Sequence, residues 1–255
     1  MTTGLWDHET FVENLRAIGA RAYHDKHPFH VAMNTGELSP EALRGWVANR
    51  FYYQQNIPTK DAAILSNCSL REVRQMWIHR IIDHDGGAVG EGGIEAWLRL
   101  GEACGLSRDE MMQDRHLQPG VRFAVDAYVN LARTRPWPIA IASSLTELFA
   151  PDLMAARLAA FEKFYPWIDP RGLDYFRRRI NQARRDSGEA LAITLEYCNT
   201  PELQRDAVRA LEFKCDVLWS MLNAIHHAYG DLKEGRSPVR PARESFGGSE
   251  AAAPC

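Results

Sequence analysis

Apolar residues along the chain recur at helical spacing and not in alternation. Trp6, Phe11, Leu15 and Ile18 mark a first amphipathic helix, because residues three and four apart share one helix face. Ser39-Pro40-Glu41 opens a second helix. The serine can cap free backbone N–H groups, the proline suits the first helical position, and the acid favours the positive end of the dipole. Pro58 is expected to break or kink that helix, since proline lacks a backbone donor and clashes with the turn before it. Ser69-x-x-Glu72 and Ser107-x-x-Glu110 have capping-box spacing. Further helices are expected near 93–104, 119–133, 139–149, 153–164 and 172–198, and Thr200-Pro201-Glu202 caps a last one reaching about Tyr229. The glycines at 86, 87, 90, 92 and 93 read as a loop between helices. No long Val/Ile/Thr-rich alternating run occurs, so no strand is predicted. The fold class is all-α.

From Gly230 onward the residues turn to Gly, Pro, Ser and charge. The expected organisation is one helical domain over 1–230 and a disordered C-terminal tail over 231–255. The 255 residues carry 30 Lys+Arg against 33 Asp+Glu, a net charge of −3. That balance argues against a nucleic-acid partner, which usually demands a positive excess. The N-terminus, MTTGLWDHETF, has neither a basic nor an apolar leader region. No apolar run of about 18 residues is evident, so no membrane span is expected. The five cysteines form no C-x-x-C pair, which excludes the usual zinc-ribbon and redox spacings. Cys68, Cys104, Cys198 and Cys215 sit among apolar residues and read as core positions, and a reducing cytoplasm is the expected compartment.

The helical stripes are informative where polar residues interrupt them. One runs Leu43, Val47, Arg50, Gln54, Ile57, with Tyr53 beside it; another runs Val73, Met76/Trp77, Arg80, His84. Arg157 follows Leu153 and Ala156, Lys214 lies between Leu211 and Leu218, and Tyr128 follows Val121 and Ala124/Val125. Tyr175 and Arg179 stand i,i+4 at the border of an apolar face. A buried unpaired cation costs several kcal/mol, about 3–5 in typical cases. Each cation could instead lay its stem on the core and keep its head in water, and Lys214 taken alone reads that way. Arg50, Arg80, Arg157 and Lys214 together, on four predicted helices, point to a shared polar cavity for a small polyanion, with guanidinium forks suited to carboxylate or phosphate. His84 would add a group titrating near neutrality.

Other patterns carry less. His24-x-x-His27-x-x-His30 has metal-ligand spacing, but Pro28 interrupts it and no Glu-x-x-His motif accompanies it, so no metal site is expected. His226-His227 suits a helix C-terminus. No P-loop, Gly-x-Gly-x-x-Gly or Gly-x-Ser-x-Gly occurs. Of Arg177-Arg178-Arg179 and Arg184-Arg185, only Arg179 has an inward position.

Several blocks together resemble the pyrroloquinoline-quinone synthase family. They are Trp46 to Gln54 (WVANRFYYQ), Ile57 to Ala63, Arg80-Ile-Ile-Asp-His84-Asp-Gly, Gly93 to Gly101, Pro119 to Tyr128, Ser143-Ser-Leu-Thr146-Glu147-Leu-Phe-Ala-Pro, and Phe213 to Leu222. The resemblance implies a haem-oxygenase-like bundle of about seven helices that forms a homodimer. It implies the last step of pyrroloquinoline quinone biosynthesis: ring closure and oxidation of a bicyclic quinone amino acid by dioxygen, releasing hydrogen peroxide, with no metal and no organic cofactor. The substrate is then a small quinone with several carboxylates, and a protein that accepts the product is a further expected partner. By the same resemblance Arg50, Lys60, Arg80, Arg157 and Lys214 would hold carboxylates and quinone oxygens. Tyr23, His24, Tyr53, Gln54, Tyr128, Thr146 and Glu147 would complete the pocket, and His84, Tyr175 and Arg179 would serve dioxygen and peroxide, with His84 as the principal general acid/base. Met154 departs from the family pattern, which has histidine there; a thioether cannot donate or carry a proton. Two alternatives stand beside this: a thiaminase-like hydrolase, needing an activated cysteine, and a non-catalytic helical protein that binds a quinone or another metabolite.

Overall fold

The computed structural model describes residues 4–230; the predicted tail at 231–255 lies outside them. Among the described residues every regular element is helical. They run α1 (His8–Ala22), a 3₁₀ turn (His24–Lys26), α2 (Pro28–Thr35), α3 (Pro40–Asn67), α4 (Arg71–Trp77), α5 (His79–Asp85), α6 (Gly92–Ala103), α7 (Arg108–Met112), α8 (Pro119–Thr134), α9 (Trp137–Ala142), a 3₁₀ segment (Ser143–Phe149), α10 (Ala150–Phe164), a 3₁₀ turn (Pro170–Leu173), α11 (Asp174–Tyr197) and α12 (Pro201–Tyr229). The caps follow the expected chemistry at three starts. Ser39 accepts from the Ala42 N–H, Thr200 accepts from Leu203, and Ser107 with Glu110 forms a complete capping box.

Two local expectations fail. Pro58 does not end its helix: α3 runs through it for 28 residues. The ring leaves the Gln54 carbonyl without its helical donor, but α3 packs against α5, α6, α8 and α12, and tertiary packing outweighs local propensity. Ser69 caps nothing, because α4 starts at Arg71 with Leu70 at the cap, so the hydroxyl is out of register with the free N–H groups. The element count also exceeds seven. The stretch expected as one helix at 139–149 divides into α9 and a 3₁₀ segment, and α2, α4, α5 and α7 are too short for a periodic signal.

The core falls into two apolar clusters. One gathers Trp46, Trp97, Phe161 and Phe176; the other gathers Phe11, Trp77, Leu145 and Leu211. The long helices cross from one to the other. On α3, Phe51 and Ile57 belong to the first cluster and Ile64 to the second. On α11, Tyr175 and Phe176 belong to the first, and Ala190 and Ile193 to the second. On α12, Leu211 and Cys215 belong to the second, and Leu218 and Leu222 to the first. The charged positions Lys60, Asp61, Arg179, Asp186 and Lys214 fall at these crossings and are buried. A charged layer therefore lies between two apolar ones. Residues 137–164, contrary to expectation, contain an 18-residue window apolar enough to pass as a membrane-crossing stretch, with a mean hydropathy of 1.3. The run is divided among α9, the 3₁₀ segment and α10, and 61% of its most apolar window is buried in the protein.

The loop between α5 and α6 is closed by two glycines. Gly86 and Gly92 have φ of 87° and 89°, and a Cβ on Gly92 would stand 2.5 Å from both the Gly86 nitrogen and the His84 oxygen. We expect Gly92→Ala to destabilise the protein by about 1–2 kcal/mol or more, from the left-handed backbone alone; a urea midpoint equal to wild type would contradict this.

Candidate active site

The layer divides into two halves by charge. In the first half every cation meets a carboxylate. The Lys60 ammonium pairs with Asp61 and donates to Ser144 Oγ at 3.0 Å. Arg80 reaches Asp186 at 3.0 Å, Glu147 at 3.4 Å and Asp61 at 3.6 Å. Arg179 reaches Glu147 at 2.8 Å and Asp186 at 3.2 Å. Arg185 joins Asp186 at 2.8 Å and also pairs with Asp83. The Trp77 indole donates to Asp61 at 2.8 Å. Burial opposes the Arg80 charge, yet Asp61, Asp186 and Glu147 outweigh it and its pKa is raised. Burial likewise pushes the Asp186 carboxyl up, but Arg80 and Arg179 prevail and hold it at about 2.

In the second half the cations have no such partner. Among the described residues, no carboxylate forms an ion pair with Arg50, Arg157 or Lys214. Arg157 is 2% exposed and Lys214 is 1% exposed, so neither snorkels. Arg50 lies half-buried over the Tyr53 ring at 4.0 Å. Arg157 lies over Trp46 at 5.0 Å. Lys214 donates to the Tyr53 hydroxyl at 2.6 Å and sits 3.5 Å from the Tyr128 ring centre. Tyr53 and Tyr128 stack nearly parallel, with planes 6° apart, and the Tyr128 hydroxyl meets Ser144 Oγ at 3.3 Å. Neutral rings and hydroxyls thus hold these cations without cancelling them. Burial, Arg50 and Lys60 push Lys214 well below the ordinary lysine range. Burial and Arg50 bring Arg157 down to about 9, still protonated at neutral pH.

Arg50 is the electrostatic hub. Its charge acts on Tyr23, His24, Tyr53, Tyr175, Arg157 and Lys214. Tyr23 is buried at the end of α1, edge-on to His24 and 5.3 Å from Phe149. Gln54 is fully buried; its Oε1 accepts from the Tyr175 hydroxyl at 3.1 Å, and its Nε2 has no protein partner. Thr146 lies buried in the 3₁₀ segment that also carries Ser144 and Glu147.

His84 departs from its expected titration. Its Nδ1 lies 2.8 Å from the Arg80 carbonyl. A carbonyl only accepts, so Nδ1 carries the proton and Nε2 presents a lone pair, which no protein group engages. Burial and then the Arg179 charge bring its pKa down to about 4, partly offset by the Arg80 carbonyl and Asp61. The imidazole is a neutral proton acceptor at pH 7, not a group at its midpoint. A cavity of about 360 Å³ is lined by Asp83, the chain neighbour of His84, by the glycine loop and by Tyr175, Arg178 and Gln182, with His84 itself behind that lining. Tyr175 faces this cavity and also binds Gln54, so it stands between the cavity and the cationic half.

All fifteen expected site residues therefore fall in or beside the charged layer, but not all with the expected freedom. Lys60, Arg80 and Arg179 are engaged by carboxylates of the chain itself. Asp61 and Asp186, both 0% exposed, were not expected in the site. Asp61 continues the stripe Arg50, Gln54, Ile57, and Asp186 is seven residues beyond Arg179 on the same face of α11, so both were readable from spacing. Ser144 and His30 were also missed. Met154 is buried in the first cluster, on α10 one turn before Arg157. The four described cysteines are buried, and burial pushes the Cys104 and Cys198 thiols up to about 12, so neither of these two offers the activated thiolate a thiaminase-like hydrolase requires. Among the described residues no group of three His, Cys, Asp or Glu is placed to hold a metal ion.

This architecture defines a haem-oxygenase-like helical protein. Residues superpose on a domain of that fold from Shewanella denitrificans with a TM-score of 0.71 at 13% identity, covering 90% of this chain and 94% of that one. A TenA homologue from Pseudomonas syringae pv. tomato gives a TM-score of 0.68 at 13% identity, covering 86% and 92%. The chain belongs to the TENA/THI-4/PQQC family, whose profile matches residues 12–224. It is 57% identical over 221 residues to a pyrroloquinoline-quinone synthase of Cronobacter sakazakii, covering 87% of this chain and 88% of that protein. It is 58% identical over 219 residues to one of Pseudomonas syringae pv. tomato, covering 86% and 87%.

The depressed histidines set a pH dependence of stability. His27, like His84, is brought down to about 4, chiefly by burial. Both stay neutral in the folded chain while unfolded imidazoles take up protons below about pH 6.5. Unfolding therefore takes up protons between those values, and stability falls as pH is lowered from about 6.5 towards 4, by up to about 1 kcal/mol per pH unit for each group. Urea midpoints at pH 7 and pH 5 measure this; equal midpoints would contradict it.

Proposed function

We propose that this chain, an oxidoreductase of pyrroloquinoline quinone biosynthesis like the relatives it matches, catalyses the last step of that route. A bicyclic quinone amino-acid precursor is ring-closed and oxidised, and dioxygen takes two electrons and two protons per hydrogen peroxide released. The observation that carries the reading is the half-layer of Arg50, Arg157 and Lys214, buried or half-buried and, among the described residues, without an ion-paired carboxylate. Such a seat is electrostatically incomplete until an anion with several carboxylates enters it.

The remaining parts fit in sequence. Arg50, Arg157 and Lys214 bind the carboxylates, and Tyr23, His24, Tyr53, Gln54, Tyr128 and Thr146 surround the rings with neutral donors and faces. The paired half, with Lys60, Arg80 and Glu147, holds its own geometry through internal ion pairs and presents a rigid wall. His84 Nε2 is the first proton acceptor. The incoming negative charge raises its pKa from about 4, so the proton it takes can be held and passed on. Arg179 and Tyr175 stabilise negative charge as dioxygen is reduced. The quinone is itself redox-active, so electrons can pass from substrate to dioxygen directly. The reading includes no metal, no organic cofactor, a homodimeric assembly, a protein that receives the product, and a reducing cytoplasm, which suits four buried free thiols.

Incubating purified, chelator-treated protein with the precursor, under air and then anaerobically, tests the proposal. Product and peroxide are expected under air only, and a protein that binds the precursor without forming either would be a carrier. His84→Ala is expected to lower kcat by about 10²-fold or more, the ordinary worth of a positioned acid/base, with a smaller change in affinity. Arg50→Ala and Lys214→Ala are expected to weaken binding about 10–100-fold, as lost charge-assisted hydrogen bonds do; unchanged affinity would remove them from the seat.

Lys214 also gives binding a proton signature. Its ammonium is disfavoured in the free site, and a carboxylate placed against it reverses the local field. Calorimetry in buffers of different ionisation enthalpy, run over a pH range below the ordinary lysine value, should register net proton uptake. Buffer-independent heats would show that the lysine is already charged.

A further inference from the structure

His30 belongs to no role assigned so far, yet it touches two residues of the cationic seat. It lies on the first turns of α2, whose start is fixed by His27 accepting from the Phe29 N–H and by Pro28 at the first helical position. That start turns His30 onto the preceding 3₁₀ turn, where its ring centre is 4.7 Å from that of His24. His30 Nδ1 lies 3.0 Å from the His24 carbonyl oxygen and 3.1 Å from His24 Nδ1. The carbonyl can only accept, so Nδ1 of His30 carries the hydrogen. His24 Nδ1 then accepts from it, which leaves the His24 proton on Nε2. Arg157 Nη2 lies 3.2 Å from His30 Nε2 and 3.3 Å from His30 Nδ1, and because Nδ1 carries the hydrogen, Nε2 is the nitrogen left to accept from that guanidinium.

The partner chosen for Arg157 is informative. Arg80 and Arg179, equally buried, are held by carboxylates. Arg157 is held by an imidazole lone pair and the face of Trp46, and its Nε has no protein partner. An acidic residue at position 30 would hold the guanidinium as firmly but would neutralise it. Burial and the charge of Arg157 keep His30 from protonating, so the brace stays neutral.

We infer that His30 is a positioning residue for the proposed reaction, a neutral brace that aims the Arg157 guanidinium at a substrate carboxylate without cancelling its charge, and that fixes His24 as an Nε2–H donor. This rests on the functional reading above, and it acts through Arg157 and His24, not on the substrate directly.

The test uses the full chain, with pyrroloquinoline quinone as the ligand for Kd and the bicyclic precursor under air for KM and kcat, and the thermal midpoint as a folding control. His30→Phe removes the acceptor at similar volume and should raise Kd about tenfold or more, as loss of a hydrogen bond to a charged group does, with a smaller change in kcat. His30→Gln, a neutral residue whose amide oxygen can accept from Arg157, should recover most of the affinity. His30→Glu should be the weakest binder of the three, although it folds. In an Arg157→Gln background the His30→Phe change should have little further effect on Kd. The same Kd for His30→Gln and His30→Glu, or an undiminished His30→Phe effect without Arg157, would overturn the proposal as mere packing. Should His30→Phe not fold, the Gln and Glu pair carries the comparison. Long-range ¹H–¹⁵N spectra of the ligand-free chain check the tautomers independently: Nδ1–H on His30 is expected, and Nε2–H there overturns the brace. Wild-type protein with the expected tautomers that fails to bind the quinone would overturn the functional reading instead.

Discussion

The structure depends on how buried positive charge is balanced. Cations that leave water must be paired or solvated by something else, because in a low-dielectric interior an isolated charge is strongly disfavoured. This protein does both in one layer. Lys60, Arg80 and Arg179 are set against Asp61, Glu147 and Asp186, so this half is paired in charge, although Arg80 Nε and Nη1 and Asp61 Oδ2 make no hydrogen bond. Arg50, Arg157 and Lys214 are set against Tyr53, Tyr128, Trp46 and His30, and this one is open. The paired half gives rigidity, since each arginine is held from more than one side. The open half leaves its groups dry and oriented but not neutralised, the condition in which the proposed anion would meet them.

The bundle makes this possible through its long helices. α3, α11 and α12 each pass from one apolar cluster to the other, so each can carry polar residues at the crossing while both ends remain anchored in hydrocarbon. Continuity of α3 through Pro58 matters here. A break at that point would separate Arg50 and Gln54 from Lys60 and Asp61, and the two halves of the layer would no longer be held by one element. The 3₁₀ segment from Ser143 to Phe149 supplies the opposite wall, placing Ser144, Thr146 and Glu147 within one tight turn.

The charge balance also explains the state of the proton-active groups. Burial first, and then the charge of Arg179 on His84 and of Arg50 and Arg157 on His24, drives both imidazoles to the neutral form. In the proposed reaction an entering anion would offset part of that positive field, so binding and basicity would be coupled.

The sequence by itself determined the helical class, most helix starts and the set of polar positions that interrupt apolar stripes. These are local properties: a 3.6-residue period, a capping side chain and a cation out of place each leave a mark within a few residues. It also suggested Arg50, Arg80, Arg157 and Lys214 as one group, and the family blocks supplied the rest. What only the tertiary structure decided is which of those cations is free. Arg80 and Arg157 look alike in sequence, each a lone arginine on an apolar stripe, but Asp186 and Asp61 arrive at Arg80 from α11 and α3, whereas His30 and Trp46 arrive at Arg157. The partner of a buried charge comes from a distant segment, and it is that partner, not the charged residue, which fixes whether the charge is spent inside the fold or left for a ligand.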